Sequence, residues 1–384
     1  MARFFISDQS AFALTYDIAN AFCRSGDEVR LITGREAGAR LSPKVIFEKI
    51  TPYDKSSTVS RISTWLKGTW DIFKIFRKNK DAELFIISNP PLAPLLPLFL
   101  KNKFSLLVWD IWPDALVHTR TLSARHPVVR IWQWLNRKAF PRAQKIFTIS
   151  EGLANALEQY VSREKIVVIP NWADTDFLKP LPKSENLFLR EQGIADKFIV
   201  MYSGNIGNTH PVDKLVDVAA ALQDHPDILF VIIGEGGKKE LVQKRIAETG
   251  VKNVRLLPYQ AYDMLPHSLA AADIGVITLE VDASQVSVPS KTYSTLAVGA
   301  PLLCLAGEKS ELANLVREHK VGEIFTPGDI PAIAQWILNL KNDKARHTEL
   351  SARSRTTSFL FTPKNAEKYV TALRGNADAP NLKK

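Results

Sequence analysis

The sequence predicts an α/β protein built from two doubly wound, Rossmann-like domains. Three observations carry that expectation. Short β-rich runs alternate with amphipathic segments along the whole chain. The runs of the second half are apolar at nearly every position, as in parallel strands covered on both faces. Finally, 384 residues with 46% hydrophobic and 23% charged content suffice for two sizeable cores and exclude a disordered chain.

In the front half the strand-like runs are RFFIS (3–7), EVRLIT (28–33), VIFEKI (45–50), LFIIS (84–88), SLLVWD (105–110), KIFTIS (145–150) and IVVIP (166–170). Helical patterns fall between several of them, clearest at 61–79 and 151–160. The back half repeats the scheme with FIVMYSG (198–204), ILFVIIG (228–234), NVRLLP (253–258), DIGVITL (273–279) and PLLCLA (301–306). Residues 170–194 carry three prolines, several charges and no sustained period, which marks a linker. The expected domains are therefore 1–175 and 176–360, followed at 361–384 by a C-terminal helix and a polar, disordered tail.

The two cysteines, Cys23 and Cys304, lie in opposite halves, which excludes a disulfide framework and a cysteine-based zinc site. The seven histidines show no metal-ligand spacing, and no HExxH, GxSxG or phosphate-loop sequence occurs. Neither a metal nor a resident cofactor is expected. No leader peptide is apparent, and the apolar stretch 84–100 is broken by Asn89 and four prolines, so it is not a simple spanning helix. A reducing cytoplasmic setting follows. The net charge of +10 belongs to the front half: residues 1–175 hold 25 Lys and Arg against 16 Asp and Glu, the remainder 25 against 24. Such asymmetry points to an anionic partner.

Five segments are candidates for chemistry. YSGNIGN (202–208) takes an apolar strand into a glycine turn whose amides can approach an anion, or it is a bare tight turn. FVIIGEGGKK (230–239) is a second strand-to-glycine turn with Glu235 at its tip; Lys239 stands where a dinucleotide fingerprint needs glycine, which disfavours a nicotinamide site. In SVPSKTYSTLAVGAPLL (287–303), Pro289 opens a helix with Ser290 and Lys291 at its start and Gly299 at its end. Amides, hydroxyl and ammonium there suit a diphosphate, although a lysine behind a helix cap is commonly just solvated. All three turns fall at the carboxyl ends of strands of one sheet, where open α/β sheets bind ligands. In SLLVWDIWPDAL (105–116), Asp110 ends a strand among tryptophans, where it can bind a sugar hydroxyl, move a proton or cap the turn. Last, Ile62, Trp65, Leu66, Thr69, Ile72, Phe73 and Phe76 form a helical stripe flanked by Lys67, Lys74, Arg77 and Lys78; it faces either the core or an anionic membrane.

Taken in order, SNPPLAPLL, VWDIWPDAL, TISEGL (148–153), VIPNWADTDFL (168–178), YSGNIGN, IIGEG, AAADIGVITL (270–279) and VPSKTYSTLAVGAPLL resemble the GT-B fold glycosyltransferases of family 4. Within that family they are similar to bacterial N-acetyl-fucosamine-type transferases of surface polysaccharide synthesis. The resemblance spans about residues 84–306. It implies two domains facing a cleft and transfer of a sugar from a nucleotide diphosphate donor, a UDP-sugar, with retained anomeric configuration. The acceptor it implies is a polyprenyl-linked or other glycan. It places Gly204, Asn205 and Gly207 at the donor-facing turn, Ser290 and Lys291 on the diphosphate, Gly234 and Glu235 near the nucleoside, and Asp110 toward the acceptor; Lys291 and Asp110 are the expected catalytic residues. With the basic front half it also implies peripheral attachment at the inner face of the cell membrane, and no nucleic-acid partner is expected. Rival readings are a nucleotide-sugar 2-epimerase of the same fold and a catalytically silent nucleotide-sugar-binding module.

Three departures from the family pattern stand out. Val286 and Ser294 occupy positions where many relatives carry glutamates, one of which holds the ribose. The loop SDQSAFAL (7–14) lacks the relatives' glycines, and Lys214 is the nearest counterpart of a basic residue that usually follows the GNIG-like turn.

Overall fold

A computed structural model describes residues 2–38, 40–119, 121–280 and 288–375. The chain divides into two compact units. The first comprises residues 1–170 together with 363–384, the second 171–362.

In the first unit the strands are β1 (Arg3–Ser7), β2 (Glu28–Thr33), β3 (Ile46–Lys49), β4 (Glu83–Ile87), β5 (Phe104–Val108), β6 (Ile146–Thr148) and β7 (Ile166–Val168). They form one parallel sheet in the order β3-β2-β1-β4-β5-β6-β7. The crossover helices are α1 (Ala13–Arg24), α2 (Thr58–Lys78), α3 (Asp114–His118), α4 (Pro127–Ala139) and α5 (Glu151–Leu157). The apolar stretch after β4 becomes a 3-10 turn over Ala93–Phe99, as its prolines require. Among the described residues no helix is long and apolar enough to cross a membrane.

The second unit carries α6 (Leu187–Gln192), β8 (Phe198–Ser203), α7 (Asp213–Ala221), β9 (Ile228–Ile233), α8 (Lys239–Thr249), β10 (Val254–Leu257), α9 (Leu265–Ala270), β11 (Ile274–Thr278), α10 (Lys291–Ala297), β12 (Leu302–Leu305), α11 (Glu311–His319), β13 (Gly322–Phe325), α12 (Ile330–Asn342) and α13 (Lys344–Ser358). Its strands are also all parallel, ordered β10-β9-β8-β11-β12-β13. Every residue of β9, β11 and β12 is buried, which explains their unbroken apolar runs.

Each of the twelve strands read from the sequence is present, shortened by up to three residues. The edge strand β13 escaped notice because its residues are half-buried or exposed and show no apolar run. The observed division falls after Pro170, where 175 was expected, and the stretch read as a linker packs into the second unit. There Arg355 donates to the carbonyls of Leu178 at 3.1 Å and Thr175 at 3.1 Å, and the Phe177 ring stacks on Tyr262. The last helix, α14 (Asn365–Arg374), belongs to the first unit: Tyr369 lies against Phe147 and Phe85, and Arg374 pairs with Asp27 at 2.5 Å. The tail 376–384 lies outside the described residues.

The helical stripe on α2 divides. Ile72 and Phe76 are buried in the core, Trp65, Thr69 and Phe73 are half-buried, and Ile62 and Leu66 are 50–53% exposed, with Trp70 beside the stripe exposed as well.

Candidate active site

In the second unit the carboxyl ends of β8 and β9 run into the two glycine turns, and these lock together. The Gly204 N–H donates to the Ile233 carbonyl at 2.9 Å and the Ile206 N–H to the Glu235 carbonyl at 2.8 Å. Both glycines are required. Gly234 has φ +152°, and a Cβ there would lie 1.9 Å from the Gly204 oxygen; Gly204 has φ +148°, and a Cβ would come within 3.1 Å of the Lys291 ammonium.

Lys291 is the first residue of α10, and its side chain runs back over β8. The ammonium donates to the Tyr202 hydroxyl at 2.6 Å and lies 3.9 Å from the centre of that ring. Tyr202 is fully buried, and its hydroxyl donates in turn to the Asn205 carbonyl at 2.6 Å. No carboxylate among the described residues balances the ammonium, and burial pulls its pKa from 10.5 down to about 7. His210, on the loop after β8, holds Nδ1 2.6 Å from the Thr278 carbonyl. A carbonyl only accepts, so this nitrogen bears the proton and Nε2 is left as an acceptor. Burial, with the Lys291 charge second, pushes the imidazole down to about 4, so it is neutral near pH 7.

These groups surround a cavity of about 490 Å³ whose wall includes Gly204, Asn205, His210, Ser290 and Lys291. Tyr259, Leu265 and Leu269 supply an apolar side. Ser290 is exposed there, and its side chain makes no capping hydrogen bond. The remaining donor-side candidates stand behind the wall. Gly234 supports the turn, Gly207 lies against the Asn205 side-chain amide, and the Glu235 carboxylate is bound by Lys239 at 2.7 and 2.9 Å. Lys214 pairs with Asp217 at 3.5 Å. Ser294 lines the cavity while its hydroxyl donates to the Lys291 carbonyl at 2.9 Å; Val286 lies outside the described residues.

Asp110 belongs to the first unit, at the carboxyl end of β5. The N–H groups of Trp109 and Asp110 donate to the Ser88 hydroxyl at 3.1 and 3.4 Å, which shapes the turn. The Asp110 side chain borders a separate cavity of about 350 Å³. The residue remains open to water, and the surrounding walls raise its pKa by desolvation. Beneath this cavity Asp8 is fully buried. It accepts from Thr15 at 2.6 Å, Asn89 at 2.8 Å and the Ser10 N–H at 3.0 Å; burial raises its pKa against these hydrogen bonds. Ser10 and Asn89 are themselves wall residues, so Asp8 positions that side of the cavity. Among the described residues no group of three or more His, Cys, Asp or Glu is arranged to hold a metal ion.

Sequence reading therefore reached Gly204, Asn205, Ser290, Lys291 and Asp110 as cavity residues. It missed Tyr202, His210, Tyr259 and Asp8. Their signal was positional only: Tyr202, Tyr259 and Asp8 lie in or just after the carboxyl end of a strand, and His210 on the loop that follows one.

Two family matches cover most of the chain. Residues 13–177 match Glycosyltransferase Family 4, and residues 185–357 match Glycosyl transferases group 1. With a Rossmann-like sheet under each match, the chain is a GT-B glycosyltransferase of the group 1 and family 4 type. Among similar proteins, the one named as colanic acid biosynthesis glycosyl transferase WcaI, from Escherichia coli K12, is 31% identical over 47% of this chain and 44% of its own length. Glycosyltransferase WbjE of Pseudomonas aeruginosa is 26% identical over 80% of this chain and 78% of its own. Anabaena Alr3699/HepE, solved in complex with UDP and glucose, shares the fold at a TM-score of 0.73 and 16% identity, covering 98% of this chain and 100% of that one. WaaG, a glycosyltransferase involved in lipopolysaccharide biosynthesis, does so at 0.73 and 14%, covering 97% and 100%.

Proposed function

We propose that the protein is a retaining glycosyltransferase of bacterial surface polysaccharide synthesis. It moves a sugar from a nucleotide diphosphate donor, a UDP-sugar, held by the second unit, to a lipid-linked or other glycan acceptor held by the first. One observation carries the donor assignment: Lys291 keeps an ammonium without a carboxylate partner against a glycine turn in a cavity large enough for a sugar nucleotide. The similarity to WcaI, named for colanic acid biosynthesis, and to the glycosyltransferase WbjE, and the structure of HepE in complex with UDP-glucose, support the same reading.

As the bond between the anomeric carbon and the diphosphate breaks, negative charge accumulates on the leaving oxygens. Lys291, already stripped of much of its water and held by Tyr202, meets that charge without reorganising. The Gly204 turn lets backbone approach the same oxygens. His210, neutral near pH 7, offers Nε2 to a donor hydroxyl. Asp110, with its pKa raised, orients an acceptor hydroxyl or takes its proton. The front cavity favours transfer to an acceptor over the 2-epimerase reading, which needs none.

The test is transfer of labelled sugar from UDP-sugars to polyprenyl-linked glycan. Lys291→Ala should lower turnover at least about a hundredfold, because loss of one such electrostatic donor typically costs about 3–4 kcal/mol of barrier. Near-normal transfer by that variant removes the assignment.

The reading includes attachment to an anionic membrane through the first unit. Ile62, Leu66 and Trp70 on α2 and Val128, Ile131 and Trp134 on α4 are 50–60% exposed, and Lys67, Lys74, Arg77 and Lys78 stand exposed on α2. Apolar side chains set among cations suit the headgroup boundary of a bilayer.

A further inference from the structure

The second unit has a further cavity, of about 500 Å³, at the edge of its sheet opposite the glycine turns. It opens where β8, β9 and β10 begin: Lys197 precedes β8, Leu229 is the second residue of β9, and Lys252, Asn253 and Arg255 surround the start of β10. From here β8 and β9 each run six residues to their glycine turns, roughly 20 Å at about 3.3 Å per residue. A small ligand of this cavity therefore does not reach Lys291.

The wall carries polar groups that the fold leaves unused. The Arg255 guanidinium donates to the Gln192 carbonyl at 2.6 Å, a neutral partner, and Lys252 is exposed; neither forms an ion pair among the described residues. Lys197 is held by Asp196 at 3.1 Å. Asn253 is only 8% exposed, and its Nδ2 donates to the Ala219 carbonyl at 2.9 Å, which leaves Oδ1 buried without a partner. An orphaned buried acceptor costs free energy that a ligand hydroxyl can return. Asp224 supplies a second acceptor on the same wall. Among the described residues no aromatic side chain borders the cavity, so a nucleobase has nothing to stack on.

Guanidinium and ammonium groups bind phosphoryl oxygens through charge-assisted hydrogen bonds, and the acceptors beside them bind hydroxyls. We propose that this cavity is a second small-molecule site, which takes a sugar phosphate while a nucleotide occupies the cavity at Lys291. Arg255 and Lys252 hold the phosphoryl group with Lys197 at its flank, and Asn253 Oδ1 and the Asp224 carboxylate accept sugar hydroxyls. The proposal does not depend on the glycosyltransferase reading.

The full chain is titrated calorimetrically with glucose 1-phosphate at fixed ionic strength and saturating UDP, with glucose and inorganic phosphate as controls. Amide hydrogen exchange locates the bound probe. Glucose 1-phosphate should bind at least about tenfold more tightly than either control and slow exchange at residues 223–229 and 250–255. Lys252→Gln and Arg255→Gln should each weaken it roughly tenfold, through loss of a charge-assisted hydrogen bond. Lys252 is exposed, so its replacement leaves the fold intact even if that of Arg255 disturbs α6. Failure to bind, affinity no better than that of either control, displacement by UDP, protection confined to other segments, or indifference to both substitutions overturns the proposal. Absence of UDP binding would remove the nucleotide reading of the Lys291 cavity, while the exchange and substitution results would still decide this one.

Discussion

Binding of UDP should draw a proton from solution, and the amount follows from the setting of Lys291. With its pKa at about 7, roughly nine in ten of these side chains are neutral in the free protein at pH 8. A diphosphate in contact favours the ammonium and restores its affinity for the proton, so binding at pH 8 takes up about 0.9 proton per site. UDP itself is fully ionised there and contributes none. Titration calorimetry in buffers of different ionisation enthalpy reads that number directly. Affinity should also fall roughly eightfold between pH 7.5 and 8.5, as the protonated fraction falls. Lys291→Met should abolish both effects. The same residue sets a stability trend. The folded state binds fewer protons than the unfolded chain between about pH 7 and 10.5, so native stability rises with pH across that window. The stabilisation from Lys291→Met is therefore greatest below pH 7 and fades toward 10.5. Its ceiling is about 5 kcal/mol, reduced in practice because the side chain is only partly buried. UDP binding whose enthalpy at pH 8 does not change with buffer would refute this account of the site.

Two further outcomes are expected. Leu66→Ser combined with Trp70→Ser should remove flotation of the protein with phosphatidylglycerol vesicles, while the wild type is released by salt; flotation indifferent to the lipid's charge would sink the membrane assignment. Tyr369→Ala should destabilise the first unit by about 3–5 kcal/mol in urea unfolding, since the ring is buried between Phe85 and Phe147; a loss below about 1 kcal/mol would show that α14 is not part of that core.

The residues that were legible in advance share a local cause. Strands such as β9 and β11 are covered on both faces, so burial alone writes an unbroken apolar run into the chain. Gly204 and Lys291 stand at strand-to-helix junctions, where residue type and neighbours already limit the chemistry. Tyr202 shows the opposite case. It reads as one more apolar strand position, and only the Lys291 side chain reaching back from α10 makes its hydroxyl the link between that ammonium and the Asn205 turn.

What the sequence by itself determined was the α/β class, twelve of the thirteen strands among the described residues, the glycine turns and a cation at the start of α10. Tertiary structure decided the rest. It lowered the Lys291 pKa by removing water, buried Asp8 under the front cavity, sank Ile72 and Phe76 of the α2 stripe into the core and returned α14 to the first unit. Periodicity reports whether a residue is buried. Which distant side chain it meets, and in how much water, is set only when the elements pack.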